Sequence, residues 1–169
     1  MSILILCDHE NGQLSPVTLN TITAATQIGG DIDLLVAGDA SGNVVKAAAS
    51  IANVKKVLAA NDKIFENGLA ENLTPLLQSL SAKYSHIMAS ATTTGKNVMT
   101  RLAAKRDVMK LSAMIKGVDA KRFQRQAYGG NELSTRETSE ALNIHKRRRH
   151  EFKADRDNGG RREIEIPQR

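Results

Sequence analysis

The sequence predicts an α/β fold, a doubly wound parallel sheet with added C-terminal antiparallel strands, and three observations carry that expectation. Continuous apolar runs recur as Ile3-Leu4-Ile5-Leu6, Leu34-Leu35-Val36-Ala37 and Ile87-Met88-Ala89, as in strands buried on both faces of a parallel sheet. Strand and helix patterns alternate four times within residues 1–105, which suits βαβ units. Beyond Asp107 the pattern turns to short consecutive strands.

The elements follow in order. Ser2 to Cys7 is the first strand, ended by the turn residues Asp8-His9-Glu10-Asn11-Gly12. Ser15-Pro16 reads as a cap and first-turn proline. The helix that they open is expected to face the core with Leu19, Ile22, Thr23 and Thr26, and to stop at Gly29-Gly30. A strand at 32–37, an Ala-rich helix at 43–52, a strand at 54–60 and a helix at 73–80 come next. The fourth strand, His86 to Ala89, leads through a Thr-rich turn and Gly95 into a helix carrying Val98 and Leu102. Residues 108–115 fit a fifth strand, and 122–128, 132–138 and 141–152 fit an antiparallel meander turned at Gly129-Gly130-Asn131. One domain over 1–153 is expected, with 154–169 as a flexible tail.

Charge divides the chain. Residues 1–100 carry 6 Lys/Arg against 8 Asp/Glu, and residues 101–169 carry 18 against 10. The net +6 therefore belongs to the last third. A single cysteine, Cys7, rules out an intrachain disulfide and suits a reducing, cytoplasmic setting. No apolar run is long enough to span a membrane, and no basic leader precedes the first strand.

Candidate sites are few. Gly95-Lys96-Asn97 opens a helix and is the weak candidate for cradling a phosphate. It departs from a P-loop, since Asn97 stands where Ser or Thr would hold magnesium; a structural turn is the plainer reading. Asp8-His9-Glu10 follows the first strand at the edge where open sheets hold ligands. No second His or acidic pair at ligand spacing supports a metal there, so a solvated loop is favoured. Cys7 reads as a core or edge thiol. The run His145-Lys146-Arg147-Arg148-Arg149-His150 could meet phosphate backbones, but only Phe152 is near for stacking. Glu132, Glu137, Glu140 and Glu151 interleave with it, which suits ion pairs on a solvated sheet face. Nucleic acid is thus not the expected partner. No Ser/His/Asp order is evident, so catalysis is not expected and no metal site is assigned.

Several stretches carry a family resemblance. Leu19-Asn20-Thr21-Ile22-Thr23-Ala24-Ala25, Leu35-Val36-Ala37-Gly38, Val54-Lys55-Lys56-Val57-Leu58, residues 91–105 and Tyr128 with Gly130-Asn131 resemble the N-terminal domain of the electron transfer flavoprotein alpha subunit. The resemblance covers nearly all of the chain. It implies an α/β domain akin to adenine-nucleotide-binding sheets, paired with a beta subunit. The family passes electrons from dehydrogenases through FAD to the respiratory chain. Its flavin sits mainly in a second, C-terminal domain of the alpha subunit, and its AMP sits in the beta subunit. The resemblance therefore implies no cofactor, and no flavin-contacting residue, for this stretch of chain. It also implies a bacterial cytoplasm or a mitochondrial matrix as the setting.

The departures from that family cluster late. Thr100 stands where the family usually has Pro, Arg106 where it has Leu, and Arg136 at a Val-like position. The family's Arg-Pro-Ile-Tyr-Ala-Gly-Asn-Ala turn reads Arg125-Gln126-Ala127-Tyr128-Gly129-Gly130-Asn131-Glu132, and its Val-Ile-Thr-Val-Arg strand reads Ile144-His145-Lys146-Arg147-Arg148. An unpaired charge forced into an intact core costs several kcal/mol, on the order of 3–5. The expectation is an excised, engineered domain whose former interface is rewritten at Arg106, Arg125, Arg136, His145, Arg147 and Arg149. Such a chain would be a monomer or an engineered homo-oligomer. Two alternatives stay open: a binding or self-assembling module built on strands 122–152, and a nucleotide- or nucleic-acid-binding domain.

Overall fold

A computed structural model describes residues 1–38, 42–107, 110–117, 122–127, 132–137, 143–147 and 163–165. The first strand, β1 (Ser2–Leu6), is flanked by β4 (Asp31–Gly38) on one side and β6 (His86–Ser90) on the other, both parallel to it. From β4 the sheet continues to β5 (Lys56–Asn61) and β11 (Glu163–Glu165). From β6 it continues to β10 (Asn143–Arg147), β7 (Lys110–Gly117), β8 (Arg122–Ala127) and β9 (Glu132–Glu137). The chain thus winds outward from β1 in both directions. That reversal opens a crevice at the carboxyl ends of β1 and β6.

Side-chain alternation on the central strands makes two cores. Ile3, Ile5, Ile32, Leu34 and Val36 face α1 (Pro16–Ile28) and α2 (Gly42–Ala49). Leu4, Leu6, Leu35 and Ile87 face α3 (Ala70–Leu80) and α4 (Thr93–Arg106). Ile3, Leu4 and Ile5 are wholly buried, each contributing about 1.5–3 kcal/mol by leaving water.

The ends of α1 form as its sequence suggests, with Ser15 at the N-cap, Pro16 in the first turn and Gly29 at the C-cap with φ +85°. The face it buries differs from the expected one. Val17, Thr18, Thr21, Ala24, Ala25 and Ile28 are buried along with Ile22, while Leu19 and Thr23 are half-buried and Thr26 is exposed. Small residues let the helix lie close to the sheet, and local hydrogen bonds satisfy its hydroxyls. Thr21 Oγ1 lies 2.8 Å from Ser90 Oγ, and each hydroxyl also reaches the Val17 carbonyl at 3.1 Å. Two protons serve these three contacts, so the network ties α1 to β6.

Other boundaries shift for local reasons. α3 begins at Ala70, and Pro75 stands inside it on the exposed face, where water can reach the carbonyl that the missing N–H leaves free. α2 ends at Ala49, where Ser50 Oγ donates to the Ala47 carbonyl at 2.8 Å. The turn after β1 holds a small antiparallel pair, β2 (His9–Glu10) with β3 (Gln13–Leu14). Asn11 and Gly12 at φ +52° and +72° make its two-residue loop.

The last third corrects the expected meander. β8 and β9 are antiparallel as expected, with Arg122 opposite Glu137 in register. The third strand, β10, instead lies parallel between β6 and β7, and its register shifts between Lys146 and Arg147. Glu163–Glu165, within the segment expected to fray, pairs parallel with β5 at the opposite edge. Among the described residues no helix is long and apolar enough to cross a membrane.

Candidate functional site

The carboxyl ends of β1 and β4, the segment 65–68 and the start of α4 enclose a cleft of about 600 Å³. Its floor is apolar, with Leu6, Ala37, Phe65 and Leu73. Its polar wall holds the carboxylates of Asp8, Glu10 and Glu66, the His9 ring and the threonines 92–94; among the described residues no Lys or Arg lines it.

Thr92 organises the corner. As N-cap of α4, its Oγ1 accepts the Gly95 N–H at 3.2 Å, and its carbonyl accepts the Lys96 N–H at 2.8 Å. The Thr92 hydroxyl donates toward the Asp8 carboxylate, 3.3 Å from Oδ1 and 3.2 Å from Oδ2. Asp8 is in turn fixed through its backbone, whose N–H donates to Thr18 Oγ1 at 3.1 Å. Burial pushes the Asp8 carboxyl above its ordinary value, against the lowering effects of the Thr92 hydrogen bond and the nearby His9. His9 Nε2 lies 2.7 Å from the Ala37 carbonyl. A carbonyl only accepts, so Nε2 carries a proton.

The sequence candidates fall into different places. Gly95 is a packing residue: a Cβ there would stand 2.1 Å from the Ser90 carbonyl oxygen. Lys96 and Asn97 are exposed, and the Asn97 amide oxygen accepts from Arg101 Nε at 3.1 Å. The N–H groups of Gly95 and Lys96 are already bonded to Thr92, and a carboxylate lies beside the helix start. That arrangement disfavours a phosphate. Cys7 is buried in the core under α1, and burial, with the Asp8 charge, raises its thiol pKa far above the ordinary value.

The charged candidates of the last third do not share one element. Arg106 is exposed at the last turn of α4, where the helix dipole favours a cation. Arg125 stands opposite Met114 and Ser134, and Arg136 opposite Phe123. His145 stands between Met88 and Leu111, and Arg147 between Ser90 and Met114, on a strand flanked on both sides. Arg148, Arg149 and His150 lie outside the described residues.

Sequence reasoning places Asp8, His9 and Glu10 at the sheet edge and the Thr-rich turn with Thr92 at a ligand-holding corner, but misses Phe65 and Glu66. The available signal was the reversal of strand order at β1, which brings the ends of β1 and β6 together.

Comparison with known proteins decides the family. Residues 3–168 match the family described as "Electron transfer flavoprotein domain". The chain belongs to that family. This electron transfer flavoprotein domain is 42% identical over 144 residues to the electron transfer flavoprotein subunit alpha of Pseudomonas aeruginosa, covering 85% of this chain and 47% of that protein. Against the subunit alpha of Paracoccus denitrificans it is 39% identical over 144 residues, with the same two coverages, 85% and 47%. Against the mitochondrial subunit alpha of Dictyostelium discoideum it is 37% identical over 149 residues, covering 83% of this chain and 42% of that protein. The domain thus spans about half the length of the curated relatives it matches. At the α4 corner three carboxylates and, among the described residues, no Lys or Arg line the cleft, and the space at Gly95 is filled by the chain's own Ser90 carbonyl.

Proposed function

We propose that this chain is the N-terminal scaffold domain of an electron transfer flavoprotein alpha subunit, pairing with a beta subunit and holding no redox centre of its own. The observation that carries the reading is the extent of the match, nearly the whole chain against about half of each alpha subunit. In the whole protein, FAD bound elsewhere would carry electrons from dehydrogenases toward the respiratory chain. This domain contributes a rigid sheet with a partner-facing surface. Arg106, exposed at the end of α4, is in keeping with a surface rewritten where the family has an apolar contact. Soluble expression in a bacterial cytoplasm or mitochondrial matrix belongs to the same proposal.

Titrating FAD into the full chain, with flavin fluorescence as readout, tests the absence of a redox centre. Flavin fluorescence unchanged at tens of micromolar chain is the expected result. Stoichiometric quenching at those concentrations would overturn this half of the proposal.

A further inference from the structure

We propose that Asn11, at the tip of the β2–β3 hairpin, is a self-modification site that converts to aspartate or isoaspartate, whereas the fold shields the same sequence at Asn67.

In an Asn-Gly pair the glycine backbone nitrogen attacks the side-chain carbonyl carbon of the asparagine. The N–Cγ bond forms, the Cγ–Nδ2 bond breaks, and the displaced amide nitrogen leaves with the backbone proton as ammonia. Water then opens the five-membered imide at either carbonyl. One opening gives aspartate; the other reroutes the backbone through the side chain as isoaspartate. Water is the only co-reactant. The attack needs a glycine N–H free of hydrogen bonds, a carboxamide free to turn, and no Cβ on the attacking residue to hinder the approach.

The chain offers this chemistry a matched pair. Glu10-Asn11-Gly12 and Glu66-Asn67-Gly68 are the same tripeptide, and both asparagines are exposed. The structure sets them apart. The Gly68 N–H donates to the Phe65 carbonyl at 3.0 Å, and a Cβ placed at Gly68 would stand 3.6 Å from the Thr94 methyl carbon. Asn11 and Gly12 instead form an exposed two-residue loop, with nothing within 4 Å of a Cβ placed at Gly12. Among the described residues no hydrogen bond engages the Asn11 carboxamide or the Gly12 N–H. The strands that hold this loop are two residues each, so the rotation that the attack requires opens little structure.

The product reaches the sheet edge through His9. That residue pairs with Leu14 in the hairpin, and its Nε2 donates to the Ala37 carbonyl at 2.7 Å. Isoaspartate adds a methylene to the loop backbone and a carboxylate beside Glu10, which disturbs the pairing that positions the His9 ring.

The test ages the full chain in mildly alkaline buffer made with heavy-oxygen water, folded and, in parallel, denatured in urea. Tryptic peptides 1–46 and 64–83 report Asn11 and Asn67 separately, and fragmentation places the incorporated oxygen. The two sites should convert at similar rates in urea. Relative to those rates, folding should slow Asn67 by about threefold or more beyond any slowing at Asn11. Equal slowing at the two sites, stronger slowing at Asn11, or conversion at neither site in the folded chain would each overturn the proposal. In folded protein enriched for isoaspartate at position 11, the His9 ring signals should be displaced from those of fresh protein; unchanged signals would overturn the claimed effect on the hairpin.

Discussion

The Thr92 hydroxyl stands 3.2 Å and 3.3 Å from the two carboxylate oxygens of Asp8, while the same oxygen accepts the Gly95 N–H at 3.2 Å. One side chain thereby caps α4 and holds the end of β1 against it. Residues 84 positions apart in sequence meet because strand order reverses at β1.

Thr92→Ala removes both functions. The loss of the cap alone costs about 1–2 kcal/mol, and Asp8 also loses its hydroxyl donor. Urea denaturation should show a drop of that size, whereas Thr92→Ser stays within about 0.5 kcal/mol of the parent because its hydroxyl can serve the same two partners.

Gly95→Ala is expected to be worse than a helical Gly→Ala change ordinarily is. The new Cβ would meet the Ser90 carbonyl at 2.1 Å, so α4 must shift on the sheet, at about 2–3 kcal/mol. Gly42→Ala, in a helix with nothing within 4 Å of the added carbon, should instead be neutral or stabilising by up to about 1 kcal/mol. Comparing the two denaturation midpoints separates packing from helix propensity.

Asp8 makes stability depend on pH in a stated direction. Its folded pKa is raised above the ordinary 3.8, so the folded state holds that proton more tightly than the unfolded state does. The stabilising contribution is complete below the unfolded value and is lost as pH rises through the folded value. Asp8→Asn should therefore gain stability at pH 7 relative to the parent and lose that advantage near pH 3. A variant-minus-parent difference in urea midpoint that is flat with pH would contradict this.

Cys7 is wholly within the core, and burial raises its thiol pKa. The native chain at pH 8 should react with a disulfide reagent only as fast as it opens, and stoichiometrically once denatured in guanidinium. Rapid labelling of the native chain would show that the end of β1 is not packed as described.

Much of the first two thirds was legible because local and global signals agree there. The apolar runs at 3–6 and 34–37 are the buried strands β1 and β4, and Ser15-Pro16 and Gly29 bound α1. The α1 face was misread because Leu19 looks more core-like than Ala24 and Ala25, and residue type alone does not separate Thr21 from Thr23. Close helix–sheet approach favours small residues, and Ser90 supplies the hydrogen bonding. Asn11-Gly12 carried a hairpin signal between segments only two residues long, too short for alternation to register. The place of β10 was not legible, since its charged sequence gives no sign of an interior parallel strand and a hairpin rule favours its sequence neighbour β9. Of the cleft, Asp8, His9 and Glu10 could be placed at the sheet edge. Glu66 and Thr92 arrive from distant segments and join them only through topology.

The measurement that bears most directly on the scaffold reading is the absolute mass, by light scattering after gel filtration, of the full chain mixed with the beta subunit of the Pseudomonas aeruginosa flavoprotein. The account predicts a single species with the mass of one chain plus one beta subunit. Two separate peaks at the masses of the unmixed components, at micromolar concentrations of both, would contradict it.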